Sequence, residues 1–225
     1  MSVTTTDVAL LRLLQLSSAA LPVGGYSFSQ GMETAVEEGW LTSRVGVEQW
    51  LVPQLQGSLA RVDLPLLRRQ LCAARTGDRA QLVYWNDYAL ACRESAELRQ
   101  ADIAMGAALL RLLSQLEVVL PQPALEDPAF VTAFAVAAAQ WQLEARAACH
   151  GYVWAWLESQ VAAAVKLVPL GQSAAQALLG DLLAQVPACL DCSATLADED
   201  IGASLPGLAM ASAWHETQYS RLFRS

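Results

Sequence analysis

The chain has 225 residues, 54% of them hydrophobic, and its 14 basic and 22 acidic residues give a formal net charge of −8 at pH 7. This length and composition suffice for one sizeable hydrophobic core, so we expect a single domain over residues 1–225. The excess of carboxylates repels nucleic acid phosphates and anionic membrane surfaces, which argues against a role at either.

Cysteine usage and hydropathy indicate the compartment. The five cysteines are odd in number and irregularly spaced, which is atypical of a disulfide framework. Asp7 and Arg12 interrupt the apolar residues at positions 1–16, so this segment does not read as a secretory signal. The charge-free stretch at residues 128–143 is shorter than the roughly 20 residues that a membrane span needs. We therefore expect a cytoplasmic protein without a membrane span.

The first predicted elements are two helices and the loop between them. Residues 7–16 form a nearly all-round apolar helix, which indicates burial. Proline and paired glycines break the helical periodicity at residues 21–29. Ser29 is a suitable cap for the next helix. The inner face of that helix is predicted to carry Met32, Val36 and Trp40, and its solvent face Glu33, Glu37 and Glu38.

Cap residues and charge patterns mark the following helices. Thr42 or Ser43 begins a helix that bends near Pro53, Asp63 caps the next, and Asp78 starts another. Helical periodicity continues over residues 94–116, where the small residues at 104–109 allow close helix contact. The charged residues of this region are predicted to form an outer face, namely Arg93, Glu94, Glu97 and Arg99.

The second half of the chain is predicted to be helical as well. Prolines at 121 and 123 separate it from the first half, and the predicted helices cover residues 128–148, 152–168, 173–186 and 208–219. No run of alternating β-branched residues bounded by turn signals occurs. The sequence therefore predicts an all-α, single-domain bundle of about nine or ten helices.

Common catalytic and nucleotide-binding motifs are missing from the sequence. A phosphate-binding loop needs a lysine followed by serine or threonine, but the only lysine, Lys166, precedes Leu167 within a predicted helix. The two histidines lie far from an obvious activated serine or cysteine, so no catalytic triad is indicated. We expect a protein that is not an enzyme and binds no cofactor tightly.

Metal binding is only weakly indicated. Cys189 and Cys192 are close enough in sequence to share an ion, and His215 is a further candidate ligand, but a closed zinc site needs four ligands. The alternative is that Cys149 and Cys189 are ordinary buried thiols.

Two features are unusual for a plain helical core. Lys166 lies in an apolar run, where it must pair with a carboxylate at the helix end, reach solvent, or contact a partner. The last eleven residues are rich in aromatic and charged side chains. One interpretation is that Tyr219, Leu222 and Phe223, at helical spacing, anchor the terminus to the core. The other is that His215, Arg221 and Arg224 contact a partner.

Several segments together resemble the UreF family of urease accessory proteins. They are LQLSS at 14–18, LPVGGYSFSQG at 21–31 with Glu33 beyond, CRE at 92–94 with ELR at 97–99, VKLVPLGQ at 165–172 and HETQYSRLFRS at 215–225. They occur in order along nearly the whole chain, and the last two are highly specific. Trp214 departs from the family pattern, which commonly has a basic residue there, and residues 101–106 match loosely.

The resemblance implies a function in protein assembly. It implies an all-helical homodimer that binds the accessory protein UreD (also called UreH) and recruits the GTPase UreG to apo-urease. Nickel is then handled by the complex, and GTP is bound by the partner. The residues expected at partner-binding surfaces are Tyr26, Glu33, Lys166, His215, Glu216, Tyr219, Arg221 and Arg224. Two alternatives are an arginine supplied in trans to the partner's GTP and direct nickel carriage by Cys189, Cys192 and His215.

Overall fold

The protein is an all-α bundle, seen in a computed structural model that describes residues 7–224. No β-strand occurs within these residues. The α-helices are α1 Asp7–Leu16, α2 Met32–Glu37, α3 Arg44–Gln54, α4 Leu64–Thr76, α5 Arg79–Ala91, α6 Ala96–Gln115, α7 Phe130–Gln140, α8 Ala145–Leu167, α9 Gln172–Leu183, α10 Val186–Thr195 and α11 Pro206–His215. In the described range, α3 and α4 are joined by helical residues, and α9 and α10 are separated only by a short turn at residues 184–185. With each pair counted as one helical unit, the bundle has nine helices and confirms the predicted fold class.

Local capping explains where several helices begin. The Ser43 hydroxyl accepts a hydrogen bond from the Gly46 amide, and the Asp78 carboxylate accepts one from the Gln81 amide. Both side chains satisfy backbone donors that a helix leaves free in its first turn. These two predicted starts are confirmed.

Helix α7 lies at the centre of the bundle. Every residue from Val131 to Ala138 is buried, and α7 packs against α4 and α6. The alanines of α7 allow neighbouring helices to approach closely, and Gly106 provides the nearest approach on α6. A Cβ atom at Gly106 would lie 2.1 Å from the Pro128 carbonyl oxygen. The close contact predicted for residues 104–109 is confirmed.

The predicted break at Asp63 is wrong. Asp63 has helical backbone angles, and its side chain makes no capping hydrogen bond. A π-helical segment, Leu55–Asp63, instead links α3 to α4 just after Pro53. The Asp63 carboxylate accepts a hydrogen bond from Arg93 at 2.6 Å, so its partner lies 30 residues away and not in its own helix.

Other helix boundaries also differ from the prediction. The alanine-rich helix ends at Gln140, where Gln142 adopts a left-handed φ of 54°, and Glu144 caps the next helix by accepting from the Ala147 amide. Pro187 lies in the first turn of α10, where a proline is tolerated, whereas the prediction ended the helical region before it.

Burial corrects the predicted faces of three helices. Helix α1 is exposed along much of its length, because Val8, Leu11 and Leu14 are 68%, 64% and 59% exposed. Conversely, Glu33 and Glu97, which were assigned to solvent faces, are only 8% and 6% exposed. The Arg93 side chain is 15% exposed, whereas Glu94 and Arg99 do face solvent as predicted. The buried charges have partners that are distant in sequence.

One helical stretch in the described range, Gln172–Thr195, is long and apolar enough by length and composition to cross a membrane. This is weak evidence for a span, because the core helix of a soluble protein meets the same criterion. The shorter apolar helix α7 covers most of the stretch at 128–143 considered above.

We predict that Gly106→Ala destabilises the fold by about 1–3 kcal/mol, since its methyl group overlaps the backbone before α7. Gly180→Ala in α9 is the matched control, because its Cβ meets no atom within 4 Å. Alanine should there stabilise the helix by about 0.5–1 kcal/mol. Urea unfolding followed by circular dichroism measures both, and equal effects would contradict the close contact.

Candidate functional site

The C-terminal tail, residues 216–224, folds back over α2 and the loop before it. The Leu222 and Phe223 amides donate hydrogen bonds to the two carboxylate oxygens of Glu33, at 2.6 and 2.9 Å. The Arg224 amide donates to the Ser27 carbonyl at 2.8 Å. Three consecutive residues are therefore held through their backbones, while the side chains of Leu222 and Arg224 face solvent.

A buried cluster that we call the histidine bridge, Glu33, Glu97 and His215, fixes the start of the tail. His215 is fully buried, with Nδ1 2.6 Å from Glu97 Oε1 and Nε2 3.1 Å from Glu33 Oε2. Both ring nitrogens face carboxylate oxygens, and only the imidazolium can donate two hydrogen bonds. The geometry therefore favours a protonated histidine between two carboxylates.

Three helix ends meet at the histidine bridge. Glu33 and Glu97 lie in the first turns of α2 and α6, and His215 is the last residue of α11. Carboxylates are favoured at helix N-termini and cations at C-termini, because the peptide dipoles leave partial charges of the opposite sign there. The bridge thus places each charge at the helix end that stabilises it.

The pKa of His215 is set by opposing effects. Burial alone lowers it, but the hydrogen bonds to Glu97 and Glu33 and the negative charges of both carboxylates outweigh burial and raise the pKa above its usual value. Arg221 is also near, with Nη1 3.9 Å from Glu97 Oε2. The two carboxylates keep His215 charged over a wider pH range than an exposed histidine.

Further hydrogen bonds surround the histidine bridge and connect the same helices and the tail. The Glu216 carboxylate accepts a hydrogen bond from the Glu97 amide at 3.2 Å, and the Thr34 hydroxyl donates to Gln218 at 2.8 Å. The hydroxyls of Ser95 and Ser212 lie 2.6 Å apart and join α6 to α11.

Lys166, in the motif at residues 165–172, contacts the tail through Phe223. Its ammonium group lies 5.3 Å from the centre of the Phe223 ring, within the range of a cation–π contact. The Lys166 side chain is exposed and makes no ion pair among residues 7–224. The contact therefore differs from an ion pair closing the helix end, and it links α8 to the tail.

The predicted helical anchor of the tail is only partly right. Phe223 is buried, but Tyr219 is fully exposed and Leu222 is 66% exposed, because α11 ends at His215 and helical spacing no longer applies. Trp214 points away from the histidine bridge onto Trp40, with ring centroids 5.6 Å apart. The bridge and the tail contacts are thus formed with a tryptophan at this position.

The predicted partner-binding residues fall into two groups. Glu33 and His215 lie in the histidine bridge, with Glu216 beside it, and they hold the tail in place. The side chains on the outside of the tail and its neighbouring loop are those of Tyr26, Tyr219, Arg221 and Arg224, with Lys166 at the edge. Sequence reasoning missed Glu97, although its segment belongs to the matching motifs, because helical periodicity placed it in solvent.

The weak metal candidates remain a prediction. No group of three or more His, Cys, Asp or Glu side chains able to hold a metal ion is found among residues 7–224. Cys189 is buried, and burial together with Cys192 raises the pKa of its thiol, which disfavours the thiolate that binds metals. Burial raises the pKa of Cys149 to about 11, as suits an ordinary buried thiol.

A chamber of about 160 Å³ lies between the π-helical segment, α6 and α8, with Tyr26 in its lining. Arg93 enters it and donates to Asp63 at 2.6 Å and to Asp102 at 2.8 Å. Burial raises the pKa of Asp63 even though Arg93 opposes this shift. Gln160 is 1% exposed, and its Oε1 has no hydrogen-bond partner within the described residues. Charged and polar side chains therefore line part of a largely apolar chamber, which adjoins the loop that the tail contacts.

We predict that His215 makes stability depend on pH. Its pKa is raised in the folded state, so its contribution is fully present below about 6.5, the unfolded value, and is lost as pH rises through the folded pKa. Urea unfolding should show that the stability difference between wild type and His215→Gln shrinks with rising pH. His150→Gln is the control, because the chain has two histidines and His150 is exposed.

A direct titration of the histidine ring signals by NMR provides a second readout of the same prediction in the intact protein. The His215 midpoint should lie above about 6.5. A midpoint below this value, or a stability difference that does not change with pH, would contradict the charged bridge.

The sequence of this chain is similar to those of known proteins along its whole length. A sequence model of the UreF family matches residues 41–183. The urease accessory protein UreF of Marinomonas sp. (strain MWYL1) is 54% identical over 224 residues, which cover 100% of this chain and 97% of that protein. The proteins of the same name from Psychrobacter cryohalolentis and Alkalilimnicola ehrlichii are 49% and 46% identical, covering 98% and 99% of this chain and 96% and 98% of theirs. The chain belongs to the UreF family of urease accessory proteins.

Proposed function

We propose that this chain is a non-catalytic scaffold for urease maturation. It binds UreD/UreH and recruits the GTPase UreG to apo-urease, and the complex delivers nickel to the urease active site. The observation that carries the proposal is the tail, whose backbone is held by Glu33 while Arg221 and Arg224 remain exposed. Such an arrangement suits recognition by a partner protein.

The tail has the properties of a prearranged binding surface. Its exposed residues include Tyr219, Arg221 and Arg224, and tyrosine and arginine are enriched among residues that dominate interface energies. Binding is weakened when a flexible segment must first be ordered. Because the histidine bridge and Glu33 already order the tail, a partner meets it in a defined conformation.

Helix α1 supports assembly through a second surface. Val8, Leu11 and Leu14 are more than half exposed, and clustered exposed apolar side chains commonly mark a protein contact. Ala9 and Leu16 on the other side of α1 are buried against the bundle. We propose that the exposed side of α1 is covered in the assembled complex.

The charges that line the chamber support the proposal that a cation passes through the complex. Its lining carries the carboxylates of Asp63, Glu94, Asp102 and Glu158 and one guanidinium, that of Arg93. The excess of negative charge and the free Gln160 oxygen suit a hydrated cation, so nickel in transit fits this chamber better than an anion would. Nickel is here a cargo of the complex.

The cytoplasm and a homodimer complete the proposal. All five cysteines are free thiols, which suits a reducing compartment. A homodimer of this chain that recruits UreG would present two copies of the tail in one complex.

We predict that Arg221→Glu/Arg224→Glu abolishes co-purification with UreD and UreG and leaves urease without nickel. Reversing two exposed charges should weaken binding at least about tenfold, since arginines at interfaces are often worth 2 kcal/mol or more. Arg111→Glu is the control, because Arg111 is exposed and makes no ion pair in the described part of the chain. Full assembly and nickel loading with the double variant would refute the proposal.

A second candidate function is that this chain supplies an arginine in trans to the GTP bound by UreG. Both Arg221 and Arg224 are exposed, which this function requires. With Arg221→Ala and Arg224→Ala, GTP turnover is measured in assembled complexes. An arginine finger accelerates GTP hydrolysis about 10³–10⁵-fold, so if one of these arginines had that role, its loss would reduce turnover while the complex still forms. A docking residue instead fails in binding first, which is the outcome that the scaffold predicts.

A further inference from the structure

Three tryptophans form one cluster that is partly open to solvent and that we call the tryptophan surface: Trp40, Trp50 and Trp214. The ring centroids of Trp40 lie 5.6 Å from those of Trp214 and 6.5 Å from those of Trp50. Trp40 is 39% exposed and Trp214 is 44% exposed. Met210, one turn before Trp214 on α11, is 46% exposed. Four large apolar side chains thus share a surface that none of the tail contacts described above uses.

The backbone holds these rings in fixed positions. Gly39 ends α2 with a left-handed φ of 74°, and the Trp40 amide donates to the Ala35 carbonyl at 2.8 Å, as in a Schellman helix end. Trp214 directly precedes His215, whose ring is fixed by the histidine bridge. The tryptophan surface is therefore ordered before any partner binds, which lowers the entropic cost of binding.

The charges beside the surface are negative and unpaired. Glu37 and Glu38 are exposed just before Trp40, and neither carboxylate takes part in an ion pair or hydrogen bond within the described residues. Arg44, the next cation along the chain, is already engaged by Asp181 and by Glu48. Two carboxylates are thus free to pair with cations from outside.

We propose that the tryptophan surface binds a basic amphipathic segment of another protein. Apolar side chains of that segment cover the indoles, and its arginine or lysine side chains contact the ring faces and pair with Glu37 and Glu38. Tryptophan is the aromatic residue that attracts cations most strongly, and it is enriched at the centres of protein interfaces. This interaction is separate from the tail and goes beyond the scaffold function proposed above.

Charge decides between this occupant and a second copy of the chain. Two copies joined through the surface by a twofold axis would bring their own Glu37 and Glu38 to the same interface, and like charges there are unfavourable. A basic partner removes this repulsion. The full chain also carries a net charge of −8, which favours a positively charged partner in general.

The test uses two synthetic amphipathic helical peptides, one of leucine and arginine and one of leucine and glutamate. Calorimetry with the full-length protein measures their binding. We expect the arginine peptide to bind and the glutamate peptide not to bind. Trp214→Ala and Glu37→Gln/Glu38→Gln should each weaken its binding about tenfold, which corresponds to about 1.4 kcal/mol.

Matched controls separate this surface from general attraction. Trp154→Ala removes a tryptophan of similar exposure, 38%, on α8, and Glu126→Gln/Glu199→Gln removes two exposed carboxylates elsewhere. Neither should change binding. Failure of the arginine peptide to bind, equal binding of both peptides, or equal losses in the control variants would overturn the proposal.

Sedimentation velocity distinguishes a basic partner from a second copy of the chain. Trp214→Ala and Glu37→Gln/Glu38→Gln should leave the oligomeric state of the wild type unchanged. If Trp214→Ala instead converts a dimer into a monomer, the occupant is a second copy and the proposal of a basic partner is wrong. Circular dichroism of each variant confirms that the helical fold is retained in the comparison.

Discussion

One buried interaction, an imidazolium between two carboxylates, organises the C-terminal tail and the helix ends around it. A buried charge is costly unless it is paired and hydrogen-bonded. In the histidine bridge, His215 donates to Glu97 and Glu33, and Glu33 also accepts the amides of Leu222 and Phe223. Removing any one member takes a hydrogen bond from each buried group that it contacts, so the three helix ends and the tail depend on each other.

This dependence explains how the tail presents a defined surface. The bridge fixes the tail, the Arg224 amide joins it to Ser27, and Ser159 donates to the Gly25 carbonyl in the same loop. Contacts therefore run without a gap from the tail through the loop to α8 and the lining of the chamber. The tail therefore lies next to elements that line the chamber.

Sequence predicted the local features of the fold and missed the distant pairings. The caps at Ser43 and Asp78 and the close approach at Gly106 depend on neighbouring residues or side-chain size, and a single sequence shows both. Glu33 and Glu97 were placed in solvent, because helical periodicity assigns a carboxylate to the outside unless its partner is known. That partner, His215, lies 182 and 118 residues away. The resemblance to UreF included the segments of Glu33, Glu97 and His215 but did not show which of their side chains are buried.

Hydrogen exchange of the Leu222 and Phe223 amides measures whether Glu33 holds the tail in place. In wild type both amides should be protected, and Glu33→Gln should accelerate their exchange at least about tenfold, because hydrogen bonds to a charged acceptor contribute about 1.5–3 kcal/mol. Glu37→Gln, in the same helix but exposed, should leave both amides unchanged. Equal exchange rates at these two amides in wild type and Glu33→Gln would show that the Glu33 carboxylate does not hold the tail.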